Sequence, residues 1–233
     1  MSRLRLAVVF AAALAVWLAA TLPLSHVVRA AQPERFGLSV ERISGSIWSG
    51  RLHEARLLGA PLGDLNASAS PWALLTGKAR LKLEGERGGS AVLETNGDSV
   101  AVHDLDGAIP AGLLGLPPGL RGALDVRDGA AVFRGGACVS AAGRVRLDAL
   151  TRIAGFSGPM LEGPISCQAG RLSVDMRGRT EQAEVRVNAS LDAEGARQSA
   201  IQVRTADSLV QTALAAHGFQ ITPGGAVLTV TVR

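Results

Sequence analysis

Two hydrophobic patterns divide this chain. From Leu6 to Val28 apolar residues, chiefly Ala, Leu and Val, run without a formally charged side chain, with Arg3 and Arg5 before them and Arg29 after. A helix rises about 1.5 Å per residue, so about twenty such residues cross a hydrocarbon core about 30 Å thick. The run predicts a membrane-spanning helix over 6–28, with residues 1–5 as a cytoplasmic tip. Arg3 and Arg5 also suit the basic start of a secretory signal, with Val28-Arg29-Ala30 as its cleavage site. The length of the apolar core favours an uncleaved anchor, and either reading exports the remainder.

Beyond Pro33 apolar residues alternate with polar ones, the period of strands that bury one face and wet the other. Leu38-Ser39-Val40-Glu41 opens the alternation, and Ser49-Gly50 turns the chain into Arg51 to Leu57. Leu81/Leu83, Val145/Leu147 and Leu172/Val174/Met176 are predicted on one face, with Lys82, Arg146 and Asp175 on the other. In Ala183 to Leu191, Val185 and Val187 are predicted inward and Glu184, Arg186 and Asn188 outward. Asn96-Gly97 between Ala91 to Thr95 and Ser99 to Val102 is a hairpin signal. Ile201/Val203 and Ala226 to Val232 supply further strands, the last rich in β-branched residues. Glycines open several segments (Gly50, Gly77, Gly122, Gly143, Gly170), as turns of positive φ require.

Ten to twelve strands joined by short turns predict a mostly antiparallel domain over 34–233. Helices should be few. One or two turns are predicted at Pro71 to Thr76 and one at Ala111 to Leu116. The clearest helix runs from Asp207 to His217, capped by Asp207 and stopped by Gly218, with Leu209, Val210, Ala213 and Leu214 sharing a face.

Charge and cysteine content narrow the partners. The net charge is +4 and the pI about 10, yet Lys78 and Lys82 are the only lysines among 24 basic residues. The arginines are scattered, with no aromatic residues interleaved for base stacking, so no nucleic-acid partner is expected. The charge fits a solvated sheet face and, at most, an anionic membrane surface. Cys138 and Cys167 are the only thiols. Such an even pair is expected to form a disulfide in an oxidising compartment, two buried free thiols being the alternative.

Catalytic chemistry is hard to find. His26 lies in the apolar run, while His53 and His103 fall on alternating segments and read as exposed strand residues. None has a second His or Cys at ligand spacing, so no metal is expected. Gly155-Phe156-Ser157-Gly158 is a glycine short of G-x-S-x-G, and the glycines from 112 to 119 lie among prolines, as in a loop. Asp104/Asp106 and Asp125/Asp128, beside Gly107 and Gly129, read as turn ends in which Asp bonds its own backbone. No catalytic residue or cofactor is predicted. A cleft placing His53 or His103 beside a Ser or Asp would reopen a hydrolase reading.

Four stretches, in order, resemble the protein N family of the bacterial type II (general) secretion pathway. Ser44-Gly45-Ser46-Ile47-Trp48-Ser49-Gly50-Arg51 resembles its G-[ST]-[LIV]-W-S-G-[RK] motif, and Pro71-Trp72-Ala73-Leu74-Leu75-Thr76-Gly77 its following segment. Gly135-Gly136-Ala137-Cys138 and Gly158-Pro159-Met160-Leu161-Glu162-Gly163-Pro164-Ile165-Ser166-Cys167 resemble its two cysteine motifs. The resemblance implies a mainly β fold: one N-terminal transmembrane helix, then a curved, mostly antiparallel periplasmic sheet with a few short helices. A more distant likeness is to AsmA-like periplasmic β-sheet proteins. It also implies a non-enzymatic accessory component of the secretion machine, in the inner membrane with its main domain periplasmic. Its partners would be other secretion components (the inner-membrane platform, or the pseudopilus or secretin) and inner-membrane lipid. The alternative is a lipid- or hydrophobe-binding AsmA-like protein.

The motif also has a physical reading. Trp48 buries a large apolar area and Ser49-Gly50 permits a tight turn, so Gly45, Trp48, Ser49, Gly50 and Arg51 read as a structural corner, with a partner surface as the sharper alternative. The cysteine pair would clamp two neighbouring strands.

Overall fold

A computed structural model of the chain describes residues 38–70, 79–86, 88–96, 98–114, 123–147, 151–153, 156–192 and 195–232, together with 10, 21, 23–25 and 28. The predicted span Leu6 to Val28 thus lies largely outside the described residues, and the segment containing Pro71 and Trp72 wholly so. Among the described residues no helix is long and apolar enough to cross a membrane.

Alternating side chains zip the chain into one open antiparallel sheet. β1 (Leu38–Ser39) and β2 (Arg42–Gly45) both pair with β3 (Gly50–Leu57). Then come, in order, β4 (Ala60–Ala69), β5 (Ala79–Gly85), β6 (Gly89–Asn96), β7 (Ser99–Pro110), β8 (Ala123–Arg134) and β9 (Ala137–Leu147). β10 (Thr151–Ile153) and β11 (Phe156–Ser157) pair with each other, apart from the large sheet among the described residues. β12 (Leu161–Gln168) returns beside β9, followed by β13 (Arg171–Arg179), β14 (Ala183–Leu191) and β15 (Arg197–Thr205). β17 (Gly225–Val232) pairs with β15, and β16 (Gln220–Thr222) lies outside β17. Among the described residues fifteen strands share this sheet, more than the ten to twelve predicted. β4 escapes a period-two reading because Pro61, Gly63, Asp64 and Asn66 interrupt its apolar positions.

β-bulges bend the sheet, three of them among the described residues marked by a side chain at positive φ. Glu54, Asp104 and Asp128 adopt φ near +50° within β3, β7 and β8, at the points where pairing slips register. An extra residue on one strand kinks it and strengthens the local right-handed twist. The acidic pairs expected at turn ends are therefore strand residues. Asp106 does not bond its own backbone; its Oδ1 accepts the Asp128 N–H of the neighbouring strand at 2.9 Å. Gly143 likewise lies inside β9 and does not open it.

One sheet face is dry and holds two clusters. The larger includes Leu124, Leu147, Leu161, Met176, Val185 and Ile201, each at most 1% exposed. The inward pair predicted on β14, Val185 and Val187, is buried, and Ala183 and Ala189 are buried with it. The α1 helix (Ser208–Ala216) covers this cluster through Leu214 and Val210, capped by Asp207, whose Oδ1 accepts the Leu209 N–H at 2.8 Å. Leu209 departs from its predicted face and is 79% exposed. At about 100° per residue it lies well round the helix from the Val210/Leu214 stripe.

A 3-10 turn (Ala111–Leu114) after β7 contacts β14 and β15. Arg197 on β15 holds it there, its Nη1 donating to the Gly112 carbonyl at 3.1 Å and the Leu58 carbonyl at 3.4 Å. The smaller cluster is formed by Leu24, Ile47, Leu52, Ala55 and Ala67, with Val28 and Trp48 packed on it.

Candidate functional site

The Gly45–Arg51 motif forms a closed corner between β2 and β3. Ser46 N–H donates to the Ser49 carbonyl at 3.2 Å, leaving Ile47-Trp48 as a two-residue turn. Gly45 has φ +84°, and a Cβ there would lie 2.5 Å from the Ser49 carbonyl oxygen. Gly50 is required for space. A Cβ on it would meet Leu24 Cδ2 at 2.5 Å and the Ser46 carbonyl oxygen at 2.8 Å. Ile47 is buried and its carbonyl accepts the Ala69 N–H at 2.8 Å, tying the corner to the end of β4.

The end of the apolar run docks on this corner. Leu24 is 1% exposed, and Pro23 makes an isolated bridge to Ser46. Sequence reasoning placed Leu24 in the membrane span; here it belongs to the sheet's own core.

The wet face of the same strands carries a relay that sequence reasoning missed. His53 on β3, expected as an exposed strand residue, has a side chain only 30% exposed and bonded at both ring nitrogens. Its Nε2 lies 3.1 Å from Ser44 Oγ and its Nδ1 3.1 Å from Asp64 Oδ2. Asp64 Oδ1 accepts the Glu54 N–H at 3.0 Å, which satisfies the bulge. That bond, then His53 and Arg51, hold the Asp64 carboxyl below its usual range, against a desolvation that opposes them. The Glu54 carboxyl is pushed up, first by its hydrogen bond with Glu41 and then by Glu41's charge. Arg51 Nε donates to Asn66 Oδ1 at 3.2 Å and its guanidinium pairs with Glu86 at 3.5 Å. Ser44, His53 and Asp64 stand in the order nucleophile, base, orienter. Beside them lies a depression of about 350 Å3 whose lining includes Glu54, Arg56, Asp64 and Glu86. A site so charged and wet lacks the dry enclosure in which acyl-transfer charge is stabilised.

The cysteine motifs meet on neighbouring strands. Gly135-Gly136 and Ala169-Gly170, all at positive φ, form the two-residue turns that end β8–β9 and β12–β13. Both residues of such a hairpin turn need φ > 0 to match the strand twist. The Cys138 N–H donates to the Gly170 carbonyl at 2.8 Å, and a disulfide joins Cys138 to Cys167 with Cα atoms 5.6 Å apart. The β9–β12 ladder runs only over Leu161–Pro164 against Arg144–Leu147, so the disulfide closes the strand pair where ladder bonds are missing. Gly163 packs so close to β13 that a Cβ would overlap the Asp175 carbonyl. Pro159 is buried and Gly158 half-buried, immediately before β12. These residues lie by the larger cluster and the Trp48 corner in the smaller one, so the structure gathers the motif residues into two places.

The described chain is thus a single curved antiparallel sheet with a glycine-built corner at one edge and a disulfide clamp near its middle. The chain matches the family model described as type II secretion system (T2SS), protein N, over residues 37–229, and belongs to that family. Comparison with curated proteins finds no match, and comparison with solved structures finds none. The family is one of secretion accessory components that interact with other parts of the type II system.

Proposed function

We propose that this chain is a non-enzymatic accessory component of the type II secretion system, tethered to the inner membrane through Leu6 to Leu22 with its sheet in the periplasm. The observation that carries the tether is Leu24. Its burial against Gly50 and Ile47 favours a membrane segment that is part of the folded domain and not a leader shed from it. Leu6 to Leu22 is 17 residues, at the short end of a helical span, about 25 Å long. The sheet would then sit directly on the bilayer surface.

The role in secretion is tested by deleting the gene and measuring export of a secreted reporter, with in-membrane crosslinking from the domain surface. Impaired export with capture of another secretion component is expected. Normal export with no such capture overturns the reading. A mature protein whose first residue is Ala31 would overturn the tether alone.

The hydrophobe-binding alternative is less favoured. Its apolar face is filled by the chain's own Leu147, Leu161, Met176 and Ile201. A larger depression, about 840 Å3, is ringed by polar groups such as Arg179, Glu184, Arg204 and Gln211.

A further inference from the structure

We propose that the outer edge of β17 is a dimerisation edge, onto which a second copy of this chain adds its own Leu228–Val232, antiparallel, about a two-fold axis through Val230. β16 covers β17 only at Gly225, Ala226 and Val227. Among the described residues no strand pairs with Leu228 to Val232 on the side away from β15.

The backbone parity of that stretch is fixed twice over. Thr222 and Gly225 flank a two-residue turn, so Gly225 and then Val227 direct their N–H and C=O groups to β16. Independently, a Cβ on Gly225 would overlap the Val203 carbonyl of β15, which places the Cα–H on the β15 side and the amide on the other. Continuing by twos, Thr229 and Thr231 present their N–H and C=O groups outward, with no partner among the described residues. Both side chains are exposed.

The apolar face also runs out at this edge. Val203 and Ile201 on β15 are 3% and 0% exposed, whereas Leu228, Val230 and Val232 opposite that strand are only half-buried, and Ile221 on β16 is 48% exposed. One more strand with apolar residues at alternate positions would complete both the ladder and the dry face.

A second copy fits this edge by symmetry. With Val230 opposite Val230 of the second copy, Thr229 faces Thr231 and Leu228 faces Val232, so four hydrogen bonds form and apolar side chains meet on one face. The five residues carry no charge, so self-pairing meets no like-charge repulsion. β16 ends the available tract at Leu228, which centres the axis on Val230. The edge lacks the usual protections of Lys, Pro or a bulge. By contrast, the opposite edge is broken between β1 and β2, bears Arg42 and is bridged by Pro23. A pairing this small buries far less than the roughly 1,600 Å2 of an ordinary stable interface, so the dimer is weak in dilute solution.

The test is cysteine trapping of the full chain in membranes. Directly opposed residues outside the hydrogen-bonded pairs have Cα atoms about 4.5 Å apart, within disulfide reach. Val230→Cys should give a disulfide-linked dimer on mild oxidation, mapped by mass spectrometry to position 230 in both copies. Thr229→Cys, offset from itself by two residues, lies beyond the roughly 7 Å limit and should not. Thr229→Pro in the Val230→Cys background should abolish the product without lowering the melting temperature, because that N–H makes no bond within the sheet. No dimer from Val230→Cys, equal trapping by Thr229→Cys, or trapping undiminished by Thr229→Pro would each overturn the proposal.

Discussion

The Cys138–Cys167 clamp gives the most quantitative handle on this fold. The bridge closes a loop of 29 residues. In the chain-entropy model, cross-linking such a loop removes about 12 cal/mol/K from the unfolded ensemble, or about 3.6 kcal/mol at 25 °C. For a domain of this size a kilocalorie at the midpoint moves the melting temperature by about 2–4 °C, so reduction should lower it by about 7–14 °C. The loss should also be local. Past Gly143 the β9–β12 ladder has no described partners, and the strands are held there by the disulfide and the Cys138 N–H to Gly170 bond. Calorimetry with and without reductant, on wild type and on a Cys138→Ala/Cys167→Ala double variant, measures the global term. Hydrogen exchange over Ala137–Ala142 measures the local one. Cys138→Ser should lower stability only under oxidising conditions, when the wild type has the bridge to lose. A wild type that melts at the same temperature with and without reductant, with exchange over Ala137–Ala142 unchanged, would refute the clamp.

Three other perturbations probe the remaining features. Gly50→Ala should destabilise by about 1–3 kcal/mol, as overpacking does, because the Ser46 carbonyl cannot retreat without opening the corner; a Leu24→Ala change in the same chain should recover only the part due to Leu24 Cδ2. Acidification should act in two opposed steps. The raised Glu54 value means its repulsion with Glu41 weakens the fold at neutral pH and is relieved as pH falls through that value. The lowered Asp64 value means its contribution is complete above the unfolded carboxylate range and is lost as pH falls through the folded value. Melting followed against pH should therefore show a smaller low-pH decline in Asp64→Asn and a smaller preceding gain in Glu54→Gln than in the wild type. Arg197→Met should cost about 1–3 kcal/mol in denaturant unfolding by removing its charge-assisted bonds to the Leu58 and Gly112 carbonyls, and exchange should rise in the Ala111–Leu114 turn.

What was legible in the sequence follows the physics of each element. The β14 strand alternates without interruption, so its inward set could be read directly, and Asp207 and Gly218 mark both ends of α1 because caps are local signals. Local signals fail at the bulges. Glu54, Asp104 and Asp128 take a backbone conformation favourable for few side chains, which shifts the apolar period by one and makes long strands resemble turns. The Ser44–His53–Asp64 relay was hidden for a related reason, since it depends on register across three strands. A signal for half of it was present: a hairpin turn centred on Leu58-Gly59 pairs Leu57 with Ala60 and Leu52 with Leu65, which sets His53 opposite Asp64. The corner and the cysteine motifs were visible as motifs, but their separation into two clusters required the strand order.

The two edges of this sheet have opposite characters, and that asymmetry bears on how such a component could work. At the β2–β3 edge, the bridge from Pro23 and the burial of Leu24 consume free backbone and apolar surface. At the β17 edge, the ladder groups of Thr229 and Thr231 have no partner among the described residues. Eleven strand spacings of about 4.8 Å separate β3 from β17, or about 53 Å measured along the curved sheet. The sheet curves far enough that the β3–β4 turn meets β15, where Arg197, opposite Val232, donates to the Leu58 carbonyl at 3.4 Å; the corner that holds the tether lies at the other end of β3, about 25 Å along that strand. The tether meets the sheet at the closely packed glycine pair Gly45 and Gly50. If the Gly50→Ala corner opens, the tether should loosen while pairing at Val230 survives, so the trapped Val230→Cys dimer should persist in that variant. Loss of both together would mean that the two edges communicate through the sheet and are not independent ends of it.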